Sequence, residues 1–341
     1  MTKQEFKELF LDLTEYTIPF GYEKTLEPLL PSGWKKDSVG NYYYEIGNSD
    51  TLFTTHLDTY SEEHEKVMQF EDEDDEYIIF TDGNTILGGD NKLGCSILIG
   101  MIQMRIPGTY YFFLGEEPIL SGGCWGSRRA LKNHPEFFTK FKRCVAFDRR
   151  EYGSVVIRQM GRMSSSRTFM KAIADKLKEF GNIEFDDKSS YGYYTDTATF
   201  MDVIPECTNI SAGGFGEHTT REYVDLNYTY NVFQTALKVK WDELPTERTV
   251  GEVRFHREPV TVIKKFKKFL QKDIEKELDT LLDNYDLIKT REVEKDGVIH
   301  LTYSKWLEDK EYDFWIKNNR IFLDESCKRL IQLQNLPKII K

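Results

Sequence analysis

Apolar residues recur at helical spacing near the start of the chain. Phe6, Leu9, Phe10 and Leu13 fall on one stripe of residues 3 to 16, the three- and four-residue intervals of an amphipathic helix. "IPFGYE" then supplies the Pro and Gly of a turn. Beyond it the period shortens. "NYYYEIG" and "TLFTTHLD" read as successive strands, the second almost continuous in apolar and β-branched residues, which suits a strand covered on both faces. "EYIIFTDGN" predicts a strand with a turn at Asp82-Gly83-Asn84, "CSILIGMIQM" a buried helix, and "GTYYFFLGEE" a central strand ending in two acids. There follow "RRALKNH" as helix, "RCVAFDRR" and "SVVIRQM" as strands, "SRTFMKAIADKLKEFG" as a helix stopped by its glycine, and "ECTNISAGG" as strand. Strands alternating with helices predict an α/β fold, a mixed, largely parallel central sheet sandwiched by helices.

Near residue 245 the pattern changes. Val260, Ile263, Phe266, Leu270, Ile274, Leu278 and Leu281 recur at three- and four-residue intervals among lysines and glutamates, as in a long amphipathic helix. "EVEKDGVIHLTY" and "FWIKNNRIFL" then predict hairpins turned at Asp296-Gly297 and Asn318-Asn319. The expected division is a domain over residues 1–250 and a small α+β C-terminal appendage of helix and hairpins over 251–341.

The composition supports a large core: 40% of the 341 residues are hydrophobic and 14% aromatic. A formal net charge of -11, from 46 basic and 57 acidic residues, speaks against a nucleic-acid partner or an anionic membrane. The N-terminal "MTKQEFKELFLDLTEY" is charged and amphipathic, and no segment is long and apolar enough to span a bilayer, so the expectation is a soluble, cytoplasmic protein. Cys95, Cys124, Cys144, Cys207 and Cys327 are scattered without a C-x-x-C pair, which suggests neither a disulfide framework nor a thiolate zinc site.

The candidate chemistry lies where predicted strands end, the edge at which open α/β sheets expose a ligand crevice. "TTHLDT" offers His56 and Asp58, two residues apart and therefore on one face of an extended chain, so that Asp58 can orient the His56 imidazole. "GGDN" offers Asp90 in a pocket of glycines before a helix, "LGEEP" offers Glu116 and Glu117, "AFDR" offers Asp148, and "GEHTTREY" offers His218. Buried carboxylates so placed repel one another unless a cation neutralises them.

The ordered set "THLDT", "GGDNKLG", "GEE", "FDR" and "GEHTTREYVDL" resembles the two-zinc exopeptidases and deacylases typified by bacterial leucyl aminopeptidases, with "IPFGYE", "DSVGN", "TDTATF" and "NISAGG" extending the likeness over roughly residues 3 to 240. The resemblance implies one zinc held by His56 and Asp148, a second by Glu117 and His218, Asp90 bridging both across a cis Asp90-Asn91 peptide, and Glu116 as general base. Histidine and carboxylate ligands suit catalytic zinc, with cobalt or manganese as substitutes. The separation of Asp148 from His218, 70 positions, leaves no room for the lid domain of the dimeric deacylases, so the compact aminopeptidase-like branch fits best. By the same resemblance Asp196 and the glycines Gly213 and Gly214 line the substrate pocket. Tyr193 and Tyr194 are candidates for its wall.

These features lead to a metallopeptidase that removes N-terminal residues from peptides. Two alternatives share the motifs: a deacylase of N-acyl amino acids, and a non-enzymatic binding module that keeps the fold. The sequence specifies no oligomeric state.

Overall fold

Two hexapeptides without an exposed residue, "TLFTTH" and "GTYYFF", lie side by side in the middle of the main sheet. A strand covered on both faces requires side chains that tolerate burial at every position, and these two supply aromatic, aliphatic and threonine residues throughout. The computed structural model describes residues 1–117, 123–185 and 195–250, and the strands at 287–295, 298–305, 311–317 and 320–323. The chain divides into two units, Met1–Arg254 and Phe255–Lys341.

In the first unit the elements run α1 (Lys3–Leu13), β1 (Lys35–Lys36), β2 (Tyr42–Ile46), β3 (Thr51–His56), β4 (Gln69–Glu71), β5 (Ile78–Thr81), α2 (Gly89–Gln103), β6 (Gly108–Phe113), α3 (Trp125–Asn133), α4 (Pro135–Phe138), β7 (Arg143–Arg149), β8 (Arg158–Gln159), β9 (Arg162–Met163), α5 (Arg167–Gly181), α6 (Asp196–Thr199), β10 (Glu206–Ser211), β11 (Gly214–Phe215), β12 (Tyr223–Asp225) and α7 (Leu226–Ala236). The main sheet has the order β1-β2-β6-β3-β7-β10. The pairs β6/β3, β3/β7 and β7/β10 are parallel, whereas β1/β2 and β2/β6 are antiparallel. This is the mixed, largely parallel sheet that the alternation of strands and helices predicts.

Helices flank the sheet. α2 packs on β3 and β7 with α1 and α7 behind it, and α6 packs on β3, β7 and β10 beside α3. α1 begins with a capping box between Thr2 and Glu5 and buries Phe6, Phe10 and Leu13 completely, each contributing about 1.5–3 kcal/mol. Phe6 stacks on Phe233 of α7 at 5.3 Å, so the amphipathic stripe read from the sequence meets the core. A second sheet, β11-β12-β5-β4, is antiparallel and carries the segment that follows β11 toward the carboxyl edge of the main sheet.

Two local features differ from expectation. "SVVIRQM" buries Val155, Val156 and Ile157, yet it forms only an isolated bridge between Val155 and Ile210 and the two-residue β8, paired with β9. A short apolar run reports burial and not ladder pairing. The helix α5 ends with Gly181 as its last helical residue, but the left-handed cap is the next residue, Asn182, at φ 52°, a residue type that tolerates this conformation nearly as glycine does.

In the second unit β13 (Leu287–Lys295), β14 (Val298–Lys305), β15 (Glu311–Lys317) and β16 (Arg320–Leu323) form an antiparallel meander in sequence order. The two predicted hairpins are β13/β14 and β15/β16. The predicted helix at 260–281 and the turns Asp296-Gly297 and Asn318-Asn319 lie outside the described residues. Among the described residues no helix is long and apolar enough to cross a membrane.

Candidate metal centre

Parallel strands end on one edge, and this sheet delivers two acidic segments and a histidine there. His56 is the last residue of β3, Asp148 is the sixth residue of β7, and Glu116 and Glu117 follow β6 past Gly115. Asp90 arrives at the start of α2. Its approach needs glycine: Gly88 caps the helix at φ 79°, a left-handed conformation that side chains rarely adopt. A Cβ on Gly94 would stand 2.5 Å from the Phe147 carbonyl, so the helix lies directly against the β7 backbone. The Asp90-Asn91 peptide is cis. His218 enters from the antiparallel sheet, at φ 62°, with its ring stacked on Tyr60 at 4.6 Å.

The two oxygens of Asp90 face different histidines. Oδ1 lies 3.1 Å from His56 Nε2, and Oδ2 lies 3.3 Å from His218 Nε2. On the first side Asp148 Oδ1 is 3.7 Å and Glu116 Oε2 3.6 Å from His56 Nε2; on the second, Glu117 Oε1 is 2.9 Å from His218 Nε2. Donor atoms of His56, Asp90 and Glu117 all lie within 4.8 Å of one another, as do those of His56, Glu116 and Asp148. Side-chain exposure rises from 1% at His56 and 6% at Asp148 to 40% at His218, so the second group is the one open to an incoming molecule.

The electrostatics are those of crowded carboxylates. Burial raises the Glu116 carboxyl well above the usual range, with Asp148 adding to it, and burial with Asp90 raises Asp148 to about 8. Glu117 moves the same way, through burial and Asp90. Burial works to lower the His56 imidazole, but Glu116, Asp148, Asp58 and Asp90 outweigh it and hold the ring well above its ordinary value. For His218 burial is likewise overcome, by Asp90 and Glu117, which hold it at about 11. Asp90 is opposed by burial yet held low by its bonds to His218 and His56.

A single ring nitrogen with three carboxylate oxygens around it has more acceptors than it can serve as a donor. With a cation in the cluster, the His56 ring would keep its Nδ1 proton toward Asp58 and turn an Nε2 lone pair to the ion. This donor set and the divergent oxygens of Asp90 fit divalent cations, and the hard oxygen and imidazole donors match those of catalytic zinc.

Around this core stands a set of supporting bonds. Asp58 is fully buried, lies 3.3 Å from His56 Nδ1, and accepts the backbone N–H groups of Glu116 and Glu117 on its two oxygens, each at 2.9 Å. Glu222, Asn209 and Glu23 are among the supporting residues that escaped the sequence reading. Glu222 accepts the N–H groups of Gly88 and Asp90; its only signal was a position four residues beyond His218. Asn209 accepts the Asp148 N–H at 2.9 Å, and its signal was an amide within a fully buried strand. Glu23 accepts the N–H groups of Gly21 and Gly115 and so ties the turn after α1 to the approach of Glu116.

The weaker candidates fall in different places. Asp196 opens α6 and is only 2% exposed, with donor atoms within 4.8 Å of those of Glu116 and Cys124, as a covered neighbour of Glu116 and not as an open pocket wall. Burial pushes its carboxyl up to about 6. Gly213 packs against Tyr228 and the Asp225 carbonyl, and Gly214 against Leu93. Tyr193 and Tyr194 lie outside the described residues. His64 lies apart from these acids, its ring stacked on Tyr16 and Tyr22.

No family model matches the sequence, and no curated protein matches it significantly. Solved structures do. A tripeptidase from Staphylococcus aureus superposes with a TM-score of 0.53 at 16% identity, covering 70% of this chain and 97% of that one. An aminopeptidase from the archaeon Desulfurococcus kamchatkensis superposes with a TM-score of 0.50 at 14% identity, covering 72% of this chain and 96% of that one. This chain has the fold of those peptidases. At such identities the likeness concerns the fold; the chemistry rests on the side chains of the centre.

Proposed function

We propose that this chain is a zinc-dependent aminopeptidase with a bridged two-zinc site. The observation that carries this is the carboxylate of Asp90, which turns one oxygen to the His56 and Asp148 side and the other to the His218 and Glu117 side. His56 and Asp148 would hold one ion, Glu117 and His218 the other, with Asp90 between them. When bound, such a pair polarises the scissile carbonyl and makes water a competent nucleophile near neutral pH.

The remaining work falls to the chain. Glu116, with no ligand duty and a pKa raised by burial and by Asp148, accepts the proton of the attacking water and returns it to the leaving amine. Asp58 fixes the His56 ring and both backbone amides of the Glu116-Glu117 turn, so acid and ligands keep one relative position. The exposed His218 side admits the substrate.

Assays of aminoacyl-p-nitroanilides and short peptides, with and without chelator, test the reaction. Chelator-sensitive release of the N-terminal residue, abolished by acetylating the α-amino group, is the expected result. Turnover that persists or begins only with the blocked amine assigns a deacylase instead, and zinc binding without turnover of either substrate class assigns a binding module.

A further inference from the structure

The first turn of α2 carries a lysine whose side chain is wholly buried, Lys92 at 0% exposure. A buried ammonium is costly unless its protons find acceptors. Those of Lys92 are the backbone carbonyl of Asp58, at 3.2 Å, and the hydroxyl of Thr59, at 3.3 Å. Among the described residues it forms no salt bridge, so charge pairing does not account for a lysine at this position. A methionine fills nearly the same volume without the desolvation penalty, and replacing buried charges by apolar residues is often neutral or stabilising.

What Lys92 grips explains it better. The Asp58 carbonyl that accepts its proton also lies 3.2 Å from His56 Nδ1. The carboxylate of the same residue faces that ring and holds the amides of Glu116 and Glu117. Thr59 in turn is pinned to the turn after α1, through its N–H to the Ile18 carbonyl at 2.7 Å. Lys92 therefore fastens, from the helix that presents Asp90, the two-residue segment on which the other ligands depend.

We propose that Lys92 is a positioning residue of the metal centre, its buried ammonium fixing the Asp58-Thr59 segment and through it the orientation of His56 and of the Glu116-Glu117 turn. The inference rests on the two-zinc reading of the site. The variant Lys92→Met keeps length and apolar volume and removes every donor; Lys92→Gln keeps a neutral donor at shorter reach. For Lys92→Met the metal-free protein is expected to melt no lower than the wild type. Its zinc affinity, measured by competition with a chromophoric chelator, is expected to fall about 10–100-fold, the usual cost of losing a residue that orients a ligand. On a peptide substrate kcat falls while KM stays within about twofold, since bound substrate is held elsewhere. Lys92→Gln recovers part of both losses.

A lower melting temperature with unchanged zinc affinity and unchanged kcat makes Lys92 a packing residue only and overturns the proposal. Should Lys92→Met fail to fold, Lys92→Gln decides alone, by wild-type or weakened zinc affinity. A wild-type protein that binds no zinc removes the two-zinc reading itself, and this inference with it.

Discussion

The Glu222 carboxylate grips the backbone of Asp90: Oε1 accepts the Asp90 N–H at 3.0 Å while Oε2 accepts the Gly88 N–H at 2.8 Å. Glu222 lies four residues after His218, so one side chain fastens the segment bearing His218 to the segment bearing Asp90. Truncation by Glu222→Ala leaves two N–H groups without their acceptor. A loss of about 1–3 kcal/mol for each is expected, by the cost of an unsatisfied buried donor, and denaturant unfolding of the metal-free protein measures it. Stability within experimental error of wild type would show that water replaces the carboxylate.

Glu116 and Glu117 are adjacent in sequence but differ in what surrounds them. Glu116 faces His56 and Asp148, whereas Glu117 faces His218. The substitution Glu116→Gln is expected to lower kcat by about 100- to 10,000-fold, the span of general-base catalysis, with both zinc ions retained by elemental analysis. Loss of one ion would exchange the roles of the two glutamates.

Much of this was legible in the chain. The continuous burial of "TLFTTH" and "GTYYFF" gave parallel strands, and parallel strands place their terminal acids on one edge, which is why His56, Asp58, Glu116, Glu117 and Asp148 were found from sequence. Asp90 and His218 were legible through their glycine-rich settings. What escaped were residues that act across the fold. Glu222, Asn209, Glu23 and Lys92 bond to backbone groups 34 to 134 positions away or more locally through turns, and a linear pattern carries no record of such partners. The strand expected at "SVVIRQM" failed for a related reason, since burial without a ladder looks the same in sequence as burial within one.

Asp58 meets the His56 ring with one face and two backbone amides with both oxygens. For Asp58→Ala the expected outcome is zinc affinity weakened about 10–100-fold, as for other carboxylates that orient a metal-bound histidine. Chelator competition checks it. Unchanged affinity would leave Asp58 with a purely structural task.

Glu23 gives a pH dependence. It is only 3% exposed, and burial, aided by Asp58, raises its carboxyl from 4.5 to about 6. The folded state therefore binds a proton more readily than the unfolded chain. Its contribution is fully present below pH 4.5 and declines as pH rises through about 6, by roughly 2 kcal/mol. The difference in unfolding free energy between wild type and Glu23→Gln, followed across that window, should change by this amount; a constant difference would mean that Glu23 titrates normally.

The most direct measurement is anomalous X-ray diffraction at the zinc absorption edge from crystals of the zinc-loaded protein. Two peaks are expected, one on each side of the Asp90 carboxylate, the first within coordination distance of His56 and Asp148 and the second of Glu117 and His218. A single peak, or peaks away from Asp90, would contradict the bridged two-zinc centre.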